Sequence, residues 1–242
     1  MANETGDMKI LGNFRRMIDL IVPDTLYQPS NGAIAVENLE ARLAAAIAAV
    51  EDIAVKMAPN KFAINARQDI YAETMALVRG SRNILKASGV SAQTLADADT
   101  FSRKVLGLRK SKKTPDDPNT ASNEAVKNHS ASQQSFDAVL GNFRSYIEIL
   151  KGDPIYAPSE TQYKTGSLEA KADEIESKNN AVSSSFVPLS GARSVRDDLL
   201  YTGAECLCNL AQMVKAYVKA VHGPNSSLYR AINALSFKRT VR

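Results

Sequence analysis

Apolar residues recur in two long stretches of this chain at alternating steps of four and three positions. That period is typical of amphipathic α-helices packed at a shallow angle, whereas a half-buried strand would show a period of two. The second stretch keeps the register of the first, 129 positions further along the chain. The first series is Leu39, Leu43, Ala46, Val50, Ile53 and Met57, and the second is Leu168, Ala172, Ile175, Asn179, Val182 and Phe186.

Short motifs recur at the same spacing, which predicts an internal duplication. The pentapeptide Leu-Gly-Asn-Phe-Arg occurs at Leu11–Arg15 and at Leu140–Arg144, and Tyr-x-Pro-Ser occurs at Tyr27–Ser30 and at Tyr156–Ser159. Repetition at a fixed spacing is the signature of repeated structural units. We therefore expect an all-α fold made of two tandem copies of an antiparallel helical unit, a helix bundle with internal pseudo-two-fold symmetry.

A polar segment separates the two copies. Residues 107–130 are rich in Gly, Pro, Asn and Ser and contain almost no large apolar residue after Leu108, which is typical of a flexible linker. The sequence therefore predicts a first helical repeat over residues 1–106 and a second over residues 131–242.

Prolines and glycines predict where the helices of each copy end. Because proline cannot continue a regular helix, Pro59 and Pro188 predict a break in the middle of each copy. Gly89 and Gly223 predict the ends of the third helices. In the first copy the expected helices are 8–22, 33–57, 62–88 and 92–106, and the second copy is expected to repeat them.

Composition supports a helical protein. Trp is absent and aromatic residues make up 6% of the chain, which favours closely packed helices over a β-sandwich. No stretch approaches the roughly 20 apolar residues of a membrane helix, and the N-terminal region does not resemble a secretory signal, so we expect a cytoplasmic protein. The two cysteines, Cys206 and Cys208, are expected to be buried thiols rather than a disulfide or a metal site.

Several segments resemble an uncharacterised family of bacterial, Bacteroidetes-type, tandem-duplicated helical proteins. They are the Ser-Ala-Ser-Gln-Gln-Ser-Phe-Asp sequence at Ser130–Asp137, Tyr156–Glu160, Asn180–Val182 and, most strongly, Val214–Arg239. The resemblance implies the helical fold and brings no activity, ligand or partner. His222 stands where the family pattern has an aromatic residue, so no role of that ring carries over.

No motif for catalysis or cofactor binding is found in the sequence. The chain has two histidines, His129 and His222, and the second is expected to cap a helix C-terminus just before Gly223. Glu-x-x-His pairs, glycine-rich phosphate loops and a Gly-x-Ser-x-Gly turn are absent. We therefore expect a protein that is not an enzyme, with no catalytic residue, cofactor or metal.

Positive charge is concentrated at the end of each copy. The net charge is +4, and residues 101–113 and 230–242, which lie 129 apart, contain basic residues and no acidic ones. Such segments favour helix C-termini and solubility, but they also bind phosphates of nucleic acids or other polyanions, or an acidic partner or membrane surface. The candidate polyanion-binding residues are Arg103, Lys104, Arg109, Lys110, Lys112, Lys113, Lys238, Arg239 and Arg242.

The function that the sequence favours is that of a non-enzymatic helical scaffold or interaction protein with an unidentified protein partner. The alternative is polyanion binding, with nucleic acid as the partner, through the basic ends of the two repeats. A third hypothesis, a carrier of hydrophobic ligands between helices, requires a cavity of a few hundred Å³. The sequence does not determine the oligomeric state.

Overall fold

The computed structural model of the protein describes residues 6–108 and 134–238, which form α-helices and no strand. The predicted all-α class is confirmed. No helix among these residues is long and apolar enough to cross a membrane. The helices are α1 (Asp7–Ile21), α2 (Val36–Ala87), α3 (Ala92–Val105), α4 (Phe136–Gly152), α5 (Thr165–Asp197), α6 (Leu207–His222) and α7 (Ser227–Asn233).

The predicted helix breaks at Pro59 and Pro188 are wrong, because α2 and α5 each continue through their proline. A proline inside a helix leaves the carbonyl four residues earlier without its amide partner, at a cost of about 3 kcal/mol or more. That carbonyl belongs to Val55 in α2 and to Ser184 in α5, and both residues are exposed, so water can bond to it. Burial on either side of the proline then keeps each helix continuous.

The second half of the chain breaks its long helix at Gly203 instead. After α5 a single π-helical turn, Asp198–Thr202, widens the backbone, and the amide of Gly203 donates to the carbonyl of Asp198 at 2.9 Å. A Cβ atom at Gly203 would lie 2.7 Å from that carbonyl oxygen, so only glycine fits. The chain then turns, and α6 begins at Leu207.

Glycines end the helices that precede α3 and α7, as predicted. Gly89 and Gly223 have φ angles of 76° and 80°, which side-chain-bearing residues rarely adopt. The hydroxyls of Ser91 and Ser226 then cap α3 and α7 by accepting from the amides three residues on. The two glycines are further apart than the predicted repeat spacing, and the π turn with the bend around Gly203 lies in the longer of the two predicted repeats.

The described residues divide into two compact units that differ from the predicted domains. Unit 1 comprises residues 6–60 and 185–238, and unit 2 comprises residues 61–108 and 134–184. Unit 1 therefore contains α1, the first part of α2, the end of α5, α6 and α7. Unit 2 contains the rest of α2, α3, α4 and the first part of α5. The difference from the predicted 1–106 and 131–242 arises because α2 and α5 each contribute to both units.

The core of unit 1 lies between α1, the start of α2, and α6. One face of α1 is buried, with Phe14 and Met17 fully enclosed, and the start of α2 contributes Leu39. Leu210 and other residues of α6 complete the cluster. Cys206 and Cys208 are buried beside them and form no disulfide, which confirms the prediction for the thiols.

The core of unit 2 lies between α4, the start of α5 and the end of α2. Phe143 and Tyr146 of α4 are fully buried against Leu85 and Leu168. The hydroxyl of Tyr146 is 2.9 Å from Ser81 Oγ, so its polar atom is satisfied in an apolar setting. Burial raises the pKa of Tyr146 to about 12, because the ionised phenolate would lose its hydration.

Asn179 is buried, as its place in the second apolar series predicted. Its side-chain amide donates to Tyr71 Oη at 3.2 Å and to Asp137 Oδ1 at 3.1 Å. Tyr71 in turn donates to the carbonyl of Phe136 at 2.5 Å. These bonds join α5, α2 and α4 in one register, which is the role expected of a buried asparagine among apolar positions.

The predicted burial of Phe186, the last member of the same apolar series, is wrong, because this side chain is 50% exposed. In the part of α5 that belongs to unit 1 the buried residues are Leu189, Ala192 and Arg196. At about 100° per residue these three lie on a face turned by about 90° from the face of Leu168 that is buried in unit 2. A strict heptad extrapolation from unit 2 therefore places the wrong residue inside unit 1.

Candidate functional site

The candidate basic residues are divided between the two units. Arg103 and Lys104 lie in the last turn of α3, in unit 2, and Lys238 lies after α7, in unit 1. Of the described members, the structure therefore places only Arg103 and Lys104 side by side. Arg109, Lys110, Lys112, Lys113, Arg239 and Arg242 lie outside the described residues, as does His129.

Arg103 and Lys104 are half-buried and engaged with their own helix. Lys104 Nζ lies 5.2 Å from the centroid of the Phe101 ring, within the range of a cation–π contact. Hydrogen bonds from Arg82, aided by the charge of Arg103, hold the pKa of Asp99 below its usual value. The C-terminal end of a helix also favours positive charge. Local contacts therefore account for both residues without a ligand.

A cleft of ≈ 490 Å³ in unit 2 lies between the beginning of α5 and α2, but it is open to solvent and its lining includes the charged Glu73 and Lys171. Lys171 Nζ in this cleft bonds to Glu174 Oε2 at 2.9 Å and to Glu73 Oε2 at 3.0 Å, which raises the pKa of Lys171. The lysine charge is thus already neutralised by the protein. An apolar ligand needs an enclosed cavity that removes it from water, and this cleft is open and contains an ion pair.

A smaller cleft of ≈ 310 Å³ in unit 1 has a similar arrangement. Arg42 forms an ion pair with Glu205 there, and Arg42 occupies the position of the first predicted repeat that corresponds to Lys171 in the second. Both side chains of the pair are more than 40% exposed, so the pair contributes little to stability. Each unit therefore has a cation paired with a glutamate that is distant in sequence, in another helix in unit 2 and in the turn before α6 in unit 1, and the two cations lie at corresponding positions of the predicted repeats.

His222 is the last residue of α6, directly before Gly223, as predicted. The structure adds a partner that the sequence did not indicate: His222 Nε2 lies 2.7 Å from Asp24 Oδ2. Asp24 lies 198 residues away in the sequence, so no local pattern could have indicated the contact. Within residues 6–108 and 134–238 no group of three or more His, Cys, Asp or Glu side chains is arranged to hold a metal ion.

The middle of α5 combines exposed apolar side chains with an absence of charge. Residues 185–192 contain no charged side chain, although 23% of the chain is charged. Phe186 is 50% exposed and Val187 is 69% exposed, and Pro188 beside them is also exposed. We call Phe186, Val187 and Pro188 the α5 patch.

The α5 patch distinguishes the second predicted repeat from the first. The corresponding residues of the first repeat are Met57, Ala58 and Pro59, of which Met57 is half-buried and Ala58 is small. Large exposed apolar side chains at these positions therefore occur in the second predicted repeat, whereas the first exposes Val55 and Phe62 on either side of Pro59. The signal in the sequence was an apolar pair next to a proline after three serines, but the heptad pattern assigned Phe186 to the core.

Comparison of the chain with protein-family models, with curated proteins and with solved structures gives no match. The resemblance to the bacterial helical family therefore stays a prediction.

Proposed function

We propose that the protein is a non-enzymatic helical interaction protein built from two copies of one helical unit, and that the α5 patch binds a protein partner. The observation that supports the binding role is the exposure of Phe186 and Val187 in an uncharged stretch of helix. Contiguous exposed apolar residues commonly mark interaction sites, and aromatic residues are enriched at interface centres. Unit 1 holds the patch on a helix whose opposite face is buried.

Equivalent hydrogen bonds at equivalent positions support the duplication. Tyr27 Oη donates to the carbonyl of Ile34 at 2.7 Å, and Tyr156 Oη donates to the carbonyl of Tyr163 at 2.7 Å. Both tyrosines belong to the Tyr-x-Pro-Ser motif, and both acceptors lie at the end of a 3₁₀ turn that leads into a long helix. One loop design is thus used twice, once in each predicted repeat.

Burial of the α5 patch would contribute favourably to specific binding. A fully buried phenylalanine or valine side chain contributes about 1.5–3 kcal/mol relative to its exposed state. Replacing Phe186 and Val187 by serine is therefore expected to weaken binding by more than tenfold, since each 1.4 kcal/mol corresponds to a factor of about ten.

The binding role is tested by photo-crosslinking in native cell extract. A photoreactive phenylalanine analogue replaces Phe186 in one protein, and in a control it replaces Ala48, an exposed residue of α2 in the same unit. We expect a discrete protein adduct from position 186 that is absent from position 48 and is lost when Val187→Ser is added. The same adducts from both positions, or none from position 186, would contradict the proposed role.

Polyanion binding through the basic ends is the weaker proposal. Of the three described members, Arg103 and Lys104 are half-buried, Lys104 contacts its own helix through Phe101, and Lys238 alone is exposed. What supports this proposal is the recurrence of an acid-free basic segment at the end of both predicted repeats.

A further inference from the structure

The core of each unit is shared between the two predicted repeats. In unit 1, buried residues of α1 and the start of α2 pack with buried residues of α6 and α7, so that Phe14 meets Phe237 edge-on with ring centroids 6.2 Å apart. In unit 2, buried residues from the end of α2 and from α3 pack with those of α4 and the start of α5. Neither repeat therefore has a complete core of its own in either unit.

Polar contacts in unit 1 also join one repeat to the other. Asp7, at the start of α1, accepts hydrogen bonds from Arg196 Nη1 at 2.8 Å and from Tyr201 Oη at 2.5 Å. The side-chain amide of Asn13 donates to the carbonyl of Ser236 at 2.8 Å. Arg196 is buried and also pairs with Asp197 of its own repeat, so separation of these partners would remove one of its two counterions.

Unit 2 is joined in the same way. Ser81 of the first repeat bonds to Tyr146 of the second, and Asn179 of the second repeat bonds to Tyr71 of the first. The ring of Tyr163 packs so closely against Gly80 that no side chain would fit there. Both units thus depend on contacts between residues before 109 and residues after 133.

We propose that each predicted repeat is one half of a mutually dependent pair. The interaction surface of each repeat is complementary to the other repeat and not to another part of the same repeat. The surface of the first repeat has two parts. The first part, α1 with the start of α2, packs against α6 and α7. The second part, the end of α2 with α3, packs against α4 and the start of α5. The mutual binding stands on these contacts alone. Only the description of the partner as a second copy rests on the proposed duplication.

Cutting the folded chain between the repeats tests this proposal. A specific protease site is inserted between Asn119 and Thr120, which lies outside the described residues, and the folded protein is cut until a denaturing gel shows two fragments. Because both cores need both fragments, we expect the native cut protein to keep one mass close to the 26.2 kDa of the intact chain in size-exclusion chromatography with light scattering. The uncut protein with the same insertion is the control.

Two self-contained repeats would behave differently. They would separate after the cut into two species of about half the mass, and elution of either fragment without the other overturns the proposal. A second variant sharpens the test, since Asn13→Ala removes a hydrogen bond that joins the repeats. It is expected to increase dissociation of the cut protein on dilution severalfold, whereas Thr25→Ala, an exposed control in unit 1, leaves it unchanged. The α5 patch takes no part in this assay, so its outcome is independent of partner binding.

Discussion

At the scale of single residues, the tyrosine of each Tyr-x-Pro-Ser motif is a structural group. Tyr27 and Tyr156 are buried, and each closes its loop by donating to the backbone carbonyl seven residues later. The aspartate three positions earlier accepts from a backbone amide within the same loop, at Leu26 or Ile155. The motif therefore determines how the chain passes from α1 to α2 and from α4 to α5.

Removing either tyrosine hydroxyl should destabilise the protein by a similar amount. Tyr27→Phe and Tyr156→Phe each leave a carbonyl without its donor, at an expected cost of about 1–2 kcal/mol. Thermal unfolding followed by circular dichroism would show midpoints lowered by a few degrees in both variants. Tyr229→Phe is the control, since no hydrogen bond of its hydroxyl occurs among the described residues. An unchanged midpoint in either loop variant would contradict the structural role.

Buried tyrosines also predict how stability changes in alkali. Burial raises the pKa of Tyr27, Tyr146 and Tyr156, that of Tyr146 to about 12. In the unfolded chain these groups ionise near pH 10 and release protons that the folded protein retains. Their contribution to stability is therefore complete below about pH 10 and is lost as the pH rises towards 12.

Absorbance at 295 nm and helical circular dichroism, recorded together against pH, check this expectation. The part of the tyrosine ionisation that occurs at the highest pH should coincide with the loss of helix. Ionisation of all eight tyrosines near pH 10, with the helices intact, would contradict it.

At the scale of elements, two glycines near the end of the fifth helix have opposite roles. Gly203 follows the π turn, where a Cβ would lie 2.7 Å from the carbonyl oxygen of Asp198. Gly191 lies inside α5, and a Cβ there would have no neighbour within 4 Å. The same substitution therefore has a different sign at each position.

Gly203→Ala should destabilise the protein, because the backbone has to shift to relieve the close approach, and we expect a loss of about 1–3 kcal/mol. Gly191→Ala should stabilise it by up to about 1 kcal/mol, because alanine is the better helix former. Urea unfolding of both variants gives the comparison. Equal changes in the free energy of unfolding at the two positions would rule out the π turn as the cause of the destabilisation at Gly203.

The helices could be predicted from the sequence better than their partners could. The bounds of α1 and α3 agree with the prediction to within one residue, because apolar periodicity and capping residues are local signals. The continuity of α2 could not be read from Pro59, since it depends on the exposure of Val55 and on packing at both ends of the helix. Because α2 is continuous, its two ends belong to different units, and each core is completed by the other predicted repeat. The apolar face of a helix does not indicate which segment will pack against it. The α5 patch was missed for the same reason.

At the scale of the whole molecule, the charge distribution supports one further test. If the basic ends bind polyanions, deleting Arg109–Lys113 should shift elution from heparin to lower salt, and the salt dependence should become less steep by about one unit for each phosphate that is no longer bound. Lys61→Gln, at an exposed lysine of α2, is the matched control and should change elution much less. Flow-through of the unmodified protein at about 50 mM salt would exclude this role.

The end of α3 lies beside the start of α4, where the side-chain amide of Gln134 donates to the carbonyl of Lys104 at 3.0 Å. In unit 1, Ser236 and Phe237 likewise lie against Asn13 and Phe14 of α1. The chain connection near the first of these contacts could therefore be cut, and a new one could be made near the second. A circular permutant that opens the chain between residues 109 and 133 and joins its two ends would place the second repeat first. Because the core contacts and cross-repeat bonds of the described residues would keep their partners, we expect the permutant to fold, so that the linear order of the two predicted repeats is a matter of connectivity and not of architecture.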